Sequence, residues 1–296
     1  MYRHGQAEID AVTKVMRSGH WFRYGDPAAG HLGEAAAFER ELGAAVGSPN
    51  VCLTSSGTAA LMCCYAGLAL GPGDEVIIPG YTWVASALAP LHMGVIPVIV
   101  DIDASLTLDL AAVERAITPR TRAINPVHMA GLANDMDGLR AIASRHNLFI
   151  IEDACQADGG YWSDGTRLGA IGDMGAYSFN HYKVLSAGDG GAFLARDRAA
   201  YERGLIFHDG GCIFRPHGAQ LGVESFCGIN LRGNEILAAI LRAQLARLDG
   251  ILGDLHRVRG GVLERIAGSL DIIPLHGGAR TGVGSHLGVR LGDSAE

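Results

Sequence analysis

The chain has 296 residues, of which 48% are hydrophobic and 19% charged, so it can form one large or two moderate domains, and a small disulfide scaffold or a disordered tail is excluded. Its 24 basic and 31 acidic residues give a net charge of -7, which is the wrong sign for holding a polyanion, and we expect no nucleic-acid partner. No apolar stretch reaches the ~18 residues of a membrane span, and the amino-terminal residues lack the apolar core of a signal peptide, which predicts a cytoplasmic protein without membrane contact.

Short β-rich runs alternate with helical patterns along most of the chain. The predicted strands cover residues 51–54, 75–79, 97–101, 121–126, 148–152, 174–179 and 191–195. The predicted helices cover residues 7–18, 58–70, 83–93, 110–117, 136–146, 233–248 and 251–267. This alternation predicts an α/β fold with a mostly parallel central sheet and flanking helices. The junction between the last two helices is a natural domain boundary.

Ligands of such sheets bind at the carboxyl ends of the strands, so the segments that follow the strands hold the candidate residues. The turn Ser56-Gly57-Thr58 follows the first strand and opens a helix whose N-terminus suits a phosphate, although an ordinary N-cap explains it equally well. Trp83 follows the second strand and offers an aromatic plane, although isolated aromatic side chains more often belong to a core. Asp153 follows the fifth strand, where a carboxylate either caps a helix, the commoner case, or faces a ligand.

Lysine is almost absent from the chain. Of the 24 basic residues, 22 are arginine, and only Lys14 and Lys183 are lysine. Lys14 lies in a helical pattern and is predicted to be solvated, whereas Lys183 lies in a segment without periodicity, as in loops that carry chemistry. Arginine cannot replace an amine that must deprotonate to add to an aldehyde. A phosphate cradle, an aromatic plane, a carboxylate and a loop lysine are together the parts that pyridoxal 5'-phosphate requires.

The histidines and cysteines do not indicate metal chemistry. None of the 12 histidines falls in an HExxH or comparable ligand spacing, and the six cysteines include no CxxC pair. We therefore expect no metal site, and we expect free thiols, as is usual in the cytoplasm.

Eight ordered segments together form a recognisable pattern. They are residues 55–61, 71–77, 101–103, 117–121, 126–128, 135–137, 151–154 and 178–191. This succession resembles the DegT/DnrJ/EryC1/StrS family of sugar and aminocyclitol aminotransferases, and the resemblance extends from about residue 5 to about residue 291. It implies a fold-type I pyridoxal phosphate-dependent transferase. It also implies a large cofactor-binding domain over residues 1–248 and the start of an incomplete C-terminal small domain over residues 249–296.

Carried over position by position, the resemblance implies roles at the cofactor ring. Lys183 is expected to bond covalently to the aldehyde of the cofactor, and Asp153 to pair with the pyridine nitrogen. Gln156 is expected to approach the phenolic oxygen, and Trp83 to stack on the ring.

The resemblance also implies how the phosphate is held. Gly57, Thr58 and Ser178 are expected to contact the phosphate within one subunit, and Asn230 is expected to reach it from the neighbouring subunit. The residues before Asn230, from 210 to 226, show no periodicity and are predicted to form a long loop. Together these expectations describe a homodimer with shared active sites.

Two short segments and one single residue depart from the family pattern. Residues 129–131 are Met-Ala-Gly where an aromatic residue and a glycine are usual, and residues 207–210 are Phe-His-Asp-Gly where Arg-Asn-His-Gly is common. Asp189 replaces a glutamate. The first two departures bear on the shape of the acceptor pocket, so the identity of the acceptor stays open while the cofactor prediction is unaffected.

The residues bear on four candidate functions. The favoured hypothesis is an aminotransferase that moves an amino group from glutamate or glutamine to a keto sugar, preferably nucleotide-linked, or to a keto cyclitol in aminosugar and antibiotic biosynthesis. The dehydratase branch of the family has a histidine in place of the lysine, and Lys183 argues against it. A nicotinamide dehydrogenase would need a GxGxxG motif after the first strand, which this chain lacks. A catalytically idle partner homologue is the fourth hypothesis.

Overall fold

The computed structural model describes residues 4–212, 218, 220–266 and 268–291. The main strands are β1 (Asn50–Thr54), β2 (Glu75–Pro79), β3 (Ile96–Val100), β4 (Thr121–Ile124), β5 (Phe149–Asp153), β6 (Met174–Ser178) and β7 (Gly191–Ala195). Two short strands, β8 (Asp271–Ile272) and β9 (Val289–Arg290), pair with each other. The helices are α1 (Gln6–Ser18), α2 (Glu34–Val46), α3 (Gly57–Gly67), α4 (Ala85–His92), α5 (Leu110–Arg115), α6 (Met136–His146), α7 (Arg198–His208), α8 (Glu235–Leu245) and α9 (Leu248–Ile266).

The seven main strands form one sheet in the order β1-β7-β6-β5-β4-β2-β3. The adjacent pairs from β6 to β3 are parallel, and β7 is antiparallel to both of its neighbours. Strands β1, β2, β6 and β7 consist of buried residues throughout, as is typical of a sheet covered on both faces. The predicted α/β fold with a mostly parallel sheet is confirmed.

Helices on the two faces of the sheet enclose two apolar cores. In one core, Phe38 of α2 and Leu241 of α8 pack against the sheet, and in the other, Tyr65 of α3 and Ile206 of α7 do so. The rings of Phe38 and Phe179 meet edge to face with their centroids 5.5 Å apart. This contact anchors the start of the loop that follows β6 to the core below it.

The predicted domain boundary, the predicted long loop and the predicted location of the protein stay predictions. Helix α9 begins at Leu248, where the domain boundary is expected, but the division into domains is not tested by the fold. Of the predicted long loop, residues 213–217 and 219 lie outside the described residues. No helix in the described part of the chain is both long enough and apolar enough to cross a membrane. The cytoplasmic location is untested.

Candidate active site

A cavity of about 400 Å³ lies where β5 and β6 end, beside the first turn of α3. Seven of the eight predicted site residues line it: Gly57, Thr58, Trp83, Asp153, Gln156, Ser178 and Lys183. The lining also includes Ser56 of the predicted phosphate turn, and four residues that no sequence pattern assigned to the site: Cys155, Asn180, Tyr182 and Asp189. A larger cavity of about 770 Å³ lies between α9 and residues 277–281, and none of the predicted residues lines it. The predicted chemistry therefore converges on the smaller cavity.

The N-terminus of α3 forms one wall of this cavity. The Oγ of Ser56 accepts a hydrogen bond from the backbone N–H of Ala59 at 3.1 Å, so the predicted N-cap is present. The first N–H groups of a helix have no acceptor within the helix and are available to an anion. A Cβ at Gly57 would lie 2.7 Å from the Cβ of Ser178 and 2.9 Å from the Sγ of Cys155, so only glycine lets these elements approach. Capping and phosphate binding are thus compatible here.

The carboxylate of Asp153 is buried at the end of β5. Its Oδ2 accepts a hydrogen bond from the Oγ of Ser86 at 2.6 Å, and its Oδ1 accepts one from the backbone N–H of Cys155 at 3.2 Å. Ser86 is itself fully buried, and its Oγ lies 2.7 Å from the Oγ1 of Thr82. Among the described residues, no basic side chain lies within ion-pair distance of Asp153. Because an unpaired buried carboxylate is costly, this arrangement favours a ligand with a positive charge.

Lys183 lies in the loop between β6 and β7, which backbone hydrogen bonds hold in place. The N–H of Phe179 donates to the carbonyl of Gly190 at 2.9 Å, and the N–H of Lys183 donates to the carbonyl of Asn180 at 2.9 Å. Gly188 has φ 87°, in the left-handed region that favours glycine. The lysine side chain is half-buried and lines the cavity from a constrained backbone.

Gln156 is oriented by one of the segments that depart from the family pattern. Its Oε1 accepts a hydrogen bond from the backbone N–H of Ala130 at 2.8 Å, so its Nε2 is the end available as a donor. Ala130 has φ 55° and ψ 20°, which is uncommon outside glycine and is often found at functional sites. Trp83 precedes α4, which begins at Ala85, so the prediction that residue 83 lies inside a helix is wrong. With 66% of its surface exposed, its indole is accessible to a ligand.

Asn230 does not line the cavity of its own chain. It is exposed, its Oδ1 accepts a hydrogen bond from the N–H of Arg232 at 3.3 Å, and its backbone pairs with that of Asp209. Asp209 in turn forms an ion pair with the side chain of Arg232. The expected role of Asn230 in a neighbouring subunit stays a prediction.

His208, in the second departing segment, is completely buried next to Asp209. Its Nδ1 lies 2.9 Å from the carbonyl oxygen of Leu205, and its Nε2 has no hydrogen-bond partner among the described residues. Burial, assisted by the positive charge of Arg23, lowers the pKa of His208 from 6.5 to about 3. The ring is therefore neutral in the folded protein at neutral pH.

We expect the free energy of unfolding to fall as the pH decreases from 6.5 towards 3. In this range the unfolded chain binds a proton at His208 that the folded chain excludes, which costs up to about 1.4 kcal/mol of stability per pH unit. His208→Gln should reduce this slope, and His92→Gln, at the exposed end of α4, should not. Urea unfolding at pH 7 and at pH 5 gives the change in the free energy of unfolding with pH for each variant and for the wild type. An unchanged slope in the His208 variant would contradict the assignment.

The cavity combines an amine, a buried carboxylate, an amide donor, an accessible indole face and a helix N-terminus. A phosphorylated aromatic aldehyde with a protonated ring nitrogen fits each of these groups, and pyridoxal phosphate has this chemistry. Within the described residues, no group of three or more histidine, cysteine, aspartate or glutamate side chains could hold a metal ion.

Comparison with known proteins agrees with this geometry. The chain is 36% identical over 288 residues to the 3-amino-5-hydroxybenzoate synthase of Amycolatopsis mediterranei, covering 96% of this chain and 71% of that protein. It is 40% identical over 277 residues to the L-glutamine:2-deoxy-scyllo-inosose aminotransferase of Micromonospora echinospora, covering 90% of this chain and 64% of that protein.

The structural comparison gives the same relationship. The crystal structure of DesV from S. venezuelae, in complex with a ketimine intermediate, matches with a TM-score of 0.85 and 36% identity, over 96% of this chain and 73% of that chain. The chain thus spans between about two thirds and three quarters of the length of these three proteins. The model of the DegT/DnrJ/EryC1/StrS aminotransferase family matches residues 3–263. The chain therefore belongs to the DegT/DnrJ/EryC1/StrS aminotransferase family.

Proposed function

We propose that the chain is a pyridoxal phosphate-dependent aminotransferase that moves an amino group from glutamate or glutamine to a keto sugar or keto cyclitol. The observation that carries this proposal is the convergence of Lys183, Asp153 and the N-terminus of α3 on one cavity. The name of the M. echinospora relative supports both the donor and the acceptor class. Lys183 disfavours the dehydratase alternative.

In this proposal each residue has a separate task. The bound cofactor supplies an electron sink for breaking the Cα–H bond of the amino donor. Lys183 would remove the Cα proton as a general base and would return a proton to the cofactor carbon as a general acid. The negative charge of Asp153 keeps the ring nitrogen protonated.

The other lining residues hold the cofactor. The backbone N–H groups of Gly57 and Thr58, together with the hydroxyl of Ser178, would bind the phosphate. The Nε2 of Gln156 would donate to the phenolic oxygen, and the exposed indole of Trp83 would stack on the ring.

A spectroscopic experiment tests the proposed activity. Protein loaded with pyridoxal phosphate should absorb in the visible, and the band should bleach when L-glutamine or L-glutamate is added. A keto acceptor should restore the band and take up nitrogen-15 from labelled donor. A dehydratase would restore the band without retaining nitrogen-15 in the product, and a dehydrogenase or an idle homologue would not bleach.

We further propose a homodimer in which Asn230 of one protomer completes the phosphate site of the other. Asn230 is exposed and does not line the cavity of its own chain, and its neighbour Ile229 is 44% exposed. Val84, Leu91 and Ile99 add an exposed apolar surface beside α4. Apolar surface of this kind is often buried by association.

Subunit exchange tests this assembly. Mixing Lys183→Ala with an inactive Asn230→Ala variant should recover about a quarter of the wild-type activity, because one of the two sites in each mixed dimer carries neither change. Lys183→Ala mixed with Asp153→Asn is the matched control and should recover nothing, because both residues belong to the same chain's cavity. Full activity from a monomer would refute the proposal, as would no recovery with Asn230→Ala.

A further inference from the structure

A cavity of about 450 Å³, called the second cavity below, adjoins the 400 Å³ cavity of the candidate active site at Lys183. The two cavities share Gln156, Tyr182 and Lys183, so a molecule in the second cavity lies beside the same amine. Its far wall comes from distant parts of the chain, Leu255 of α9 and His286. Its volume falls in the range of small-molecule sites, about 300–1,000 Å³.

Two histidines line this cavity with ring nitrogens that are free to bind a ligand. His181 is exposed, its ring meets that of Tyr182 edge to face with centroids 5.3 Å apart, and its ring nitrogens bond to no described residue. His286 is also exposed, and the Oγ of Ser285 lies 2.8 Å from its Nδ1, which leaves Nε2 free within the described part of the chain. A neutral imidazole has one donor and one acceptor nitrogen, so each ring can hydrogen-bond a hydroxyl group.

The charges around the cavity restrict the ligand. Lys183 is the single formally charged side chain among its described lining residues, which include no arginine and no carboxylate. A diphosphate would normally be recognised by arginine forks. Val184 and Leu255 supply apolar surface for the C–H groups of a ring. The lining therefore favours a neutral, hydroxyl-rich ring over a polyanion.

We propose that this second cavity is the acceptor subsite and that it binds the ring of a neutral, polyhydroxylated keto compound, with His181 and His286 hydrogen-bonded to its hydroxyl groups. The inference rests on the proposed aminotransferase function and specifies its acceptor. It also explains how the carbonyl carbon of such a compound reaches the cofactor beside Lys183.

The experiment separates the two half-reactions. Protein loaded with pyridoxal phosphate is first mixed with L-glutamine, and the bleaching rate reports the donor half-reaction. The bleached protein is then mixed with 2-deoxy-scyllo-inosose as a neutral cyclitol probe, or with a dTDP-linked keto sugar as a charged probe, and the returning band reports the acceptor half-reaction. His181→Ala and His286→Ala are compared with His146→Ala, an exposed control on α6.

Each histidine variant should lower kcat/KM of the acceptor half-reaction with the neutral probe about ten- to a hundredfold, because hydrogen bonds to the substrate are lost. The donor half-reaction should change less than about twofold, because neither histidine lines the cavity that holds Asp153 and the N-terminus of α3, in which the small donor reacts. Equal losses in both half-reactions would indicate a merely structural role, and an unchanged acceptor half-reaction would overturn the subsite. Faster turnover of the charged probe would overturn the ligand class. Absence of bleaching in the wild type would instead refute the proposed function, and bleaching that no probe reverses would refute the acceptor class and the subsite with it.

Discussion

Lys183→Ala should abolish amino-group transfer, whereas Lys14→Ala should leave it unchanged. These are the two lysines of the sequence, so the pair is a matched comparison of one side-chain type in two environments. Lys14 is exposed on α1, and Lys183 lines the cavity at the ends of β5 and β6. Loss of a general acid–base group costs about 10²- to 10⁴-fold in rate, and loss of the covalent bond to the cofactor adds to this.

Borohydride reduction and peptide mass spectrometry check this prediction. A cofactor adduct should be found on the peptide that contains Lys183 in the wild type and in Lys14→Ala, and it should be missing from Lys183→Ala. Circular dichroism should show that all three proteins are folded, because a half-buried loop side chain contributes little to the core. If Lys183→Ala retained both turnover and a reducible chromophore, another amine would be the reactive group.

The sequence predicted all seven main strands because most of them are short apolar runs between turns. It missed α2 and α7. Helix α2 begins after Gly33, which has φ 70° and no side chain to cap the helix, so its start carries no recognisable cap. Helix α7 does begin with a cap, since Asp197 accepts a hydrogen bond from the N–H of Ala200, but Asp197 lies so close to the end of β7 at Ala195 that it is equally typical of a turn after the strand.

The same contrast holds for the site. Thr58 and Asp153 were predictable because parallel strands bring their carboxyl ends to one edge of the sheet, whereas Ser178 was expected only from the resemblance to the family. The hydrogen bond from Ser86 to Asp153 was not predictable, because these residues are 67 positions apart and nothing in the local sequence marks the serine as a partner. The bond between Gln156 and Ala130 likewise depends on a left-handed backbone that no sequence pattern announced.

Asp153→Asn should retain the bound cofactor but slow transamination by about two to three orders of magnitude. The amide has nearly the same shape as the carboxylate, and its oxygen can still accept a hydrogen bond from the N–H of Cys155. The hydroxyl of Ser86 can rotate to accept from the new amide group. The fold should therefore persist, and the main change is the loss of one buried negative charge.

That charge is what the reaction requires. A neutral amide cannot hold the proton on the ring nitrogen, so the electron sink weakens just when the Cα–H bond breaks, and removing one such electrostatic contact typically costs about 10²- to 10³-fold. Bleaching by L-glutamine under single-turnover conditions measures the step directly. Ser86→Ala keeps the charge but removes one hydrogen bond, so its rate should lie between those of the wild type and Asp153→Asn, and Asp164→Asn on an exposed loop should match the wild type. A near-normal rate in Asp153→Asn would refute the role of the charge, and an equally slow Ser86→Ala would assign the loss to positioning of the carboxylate instead.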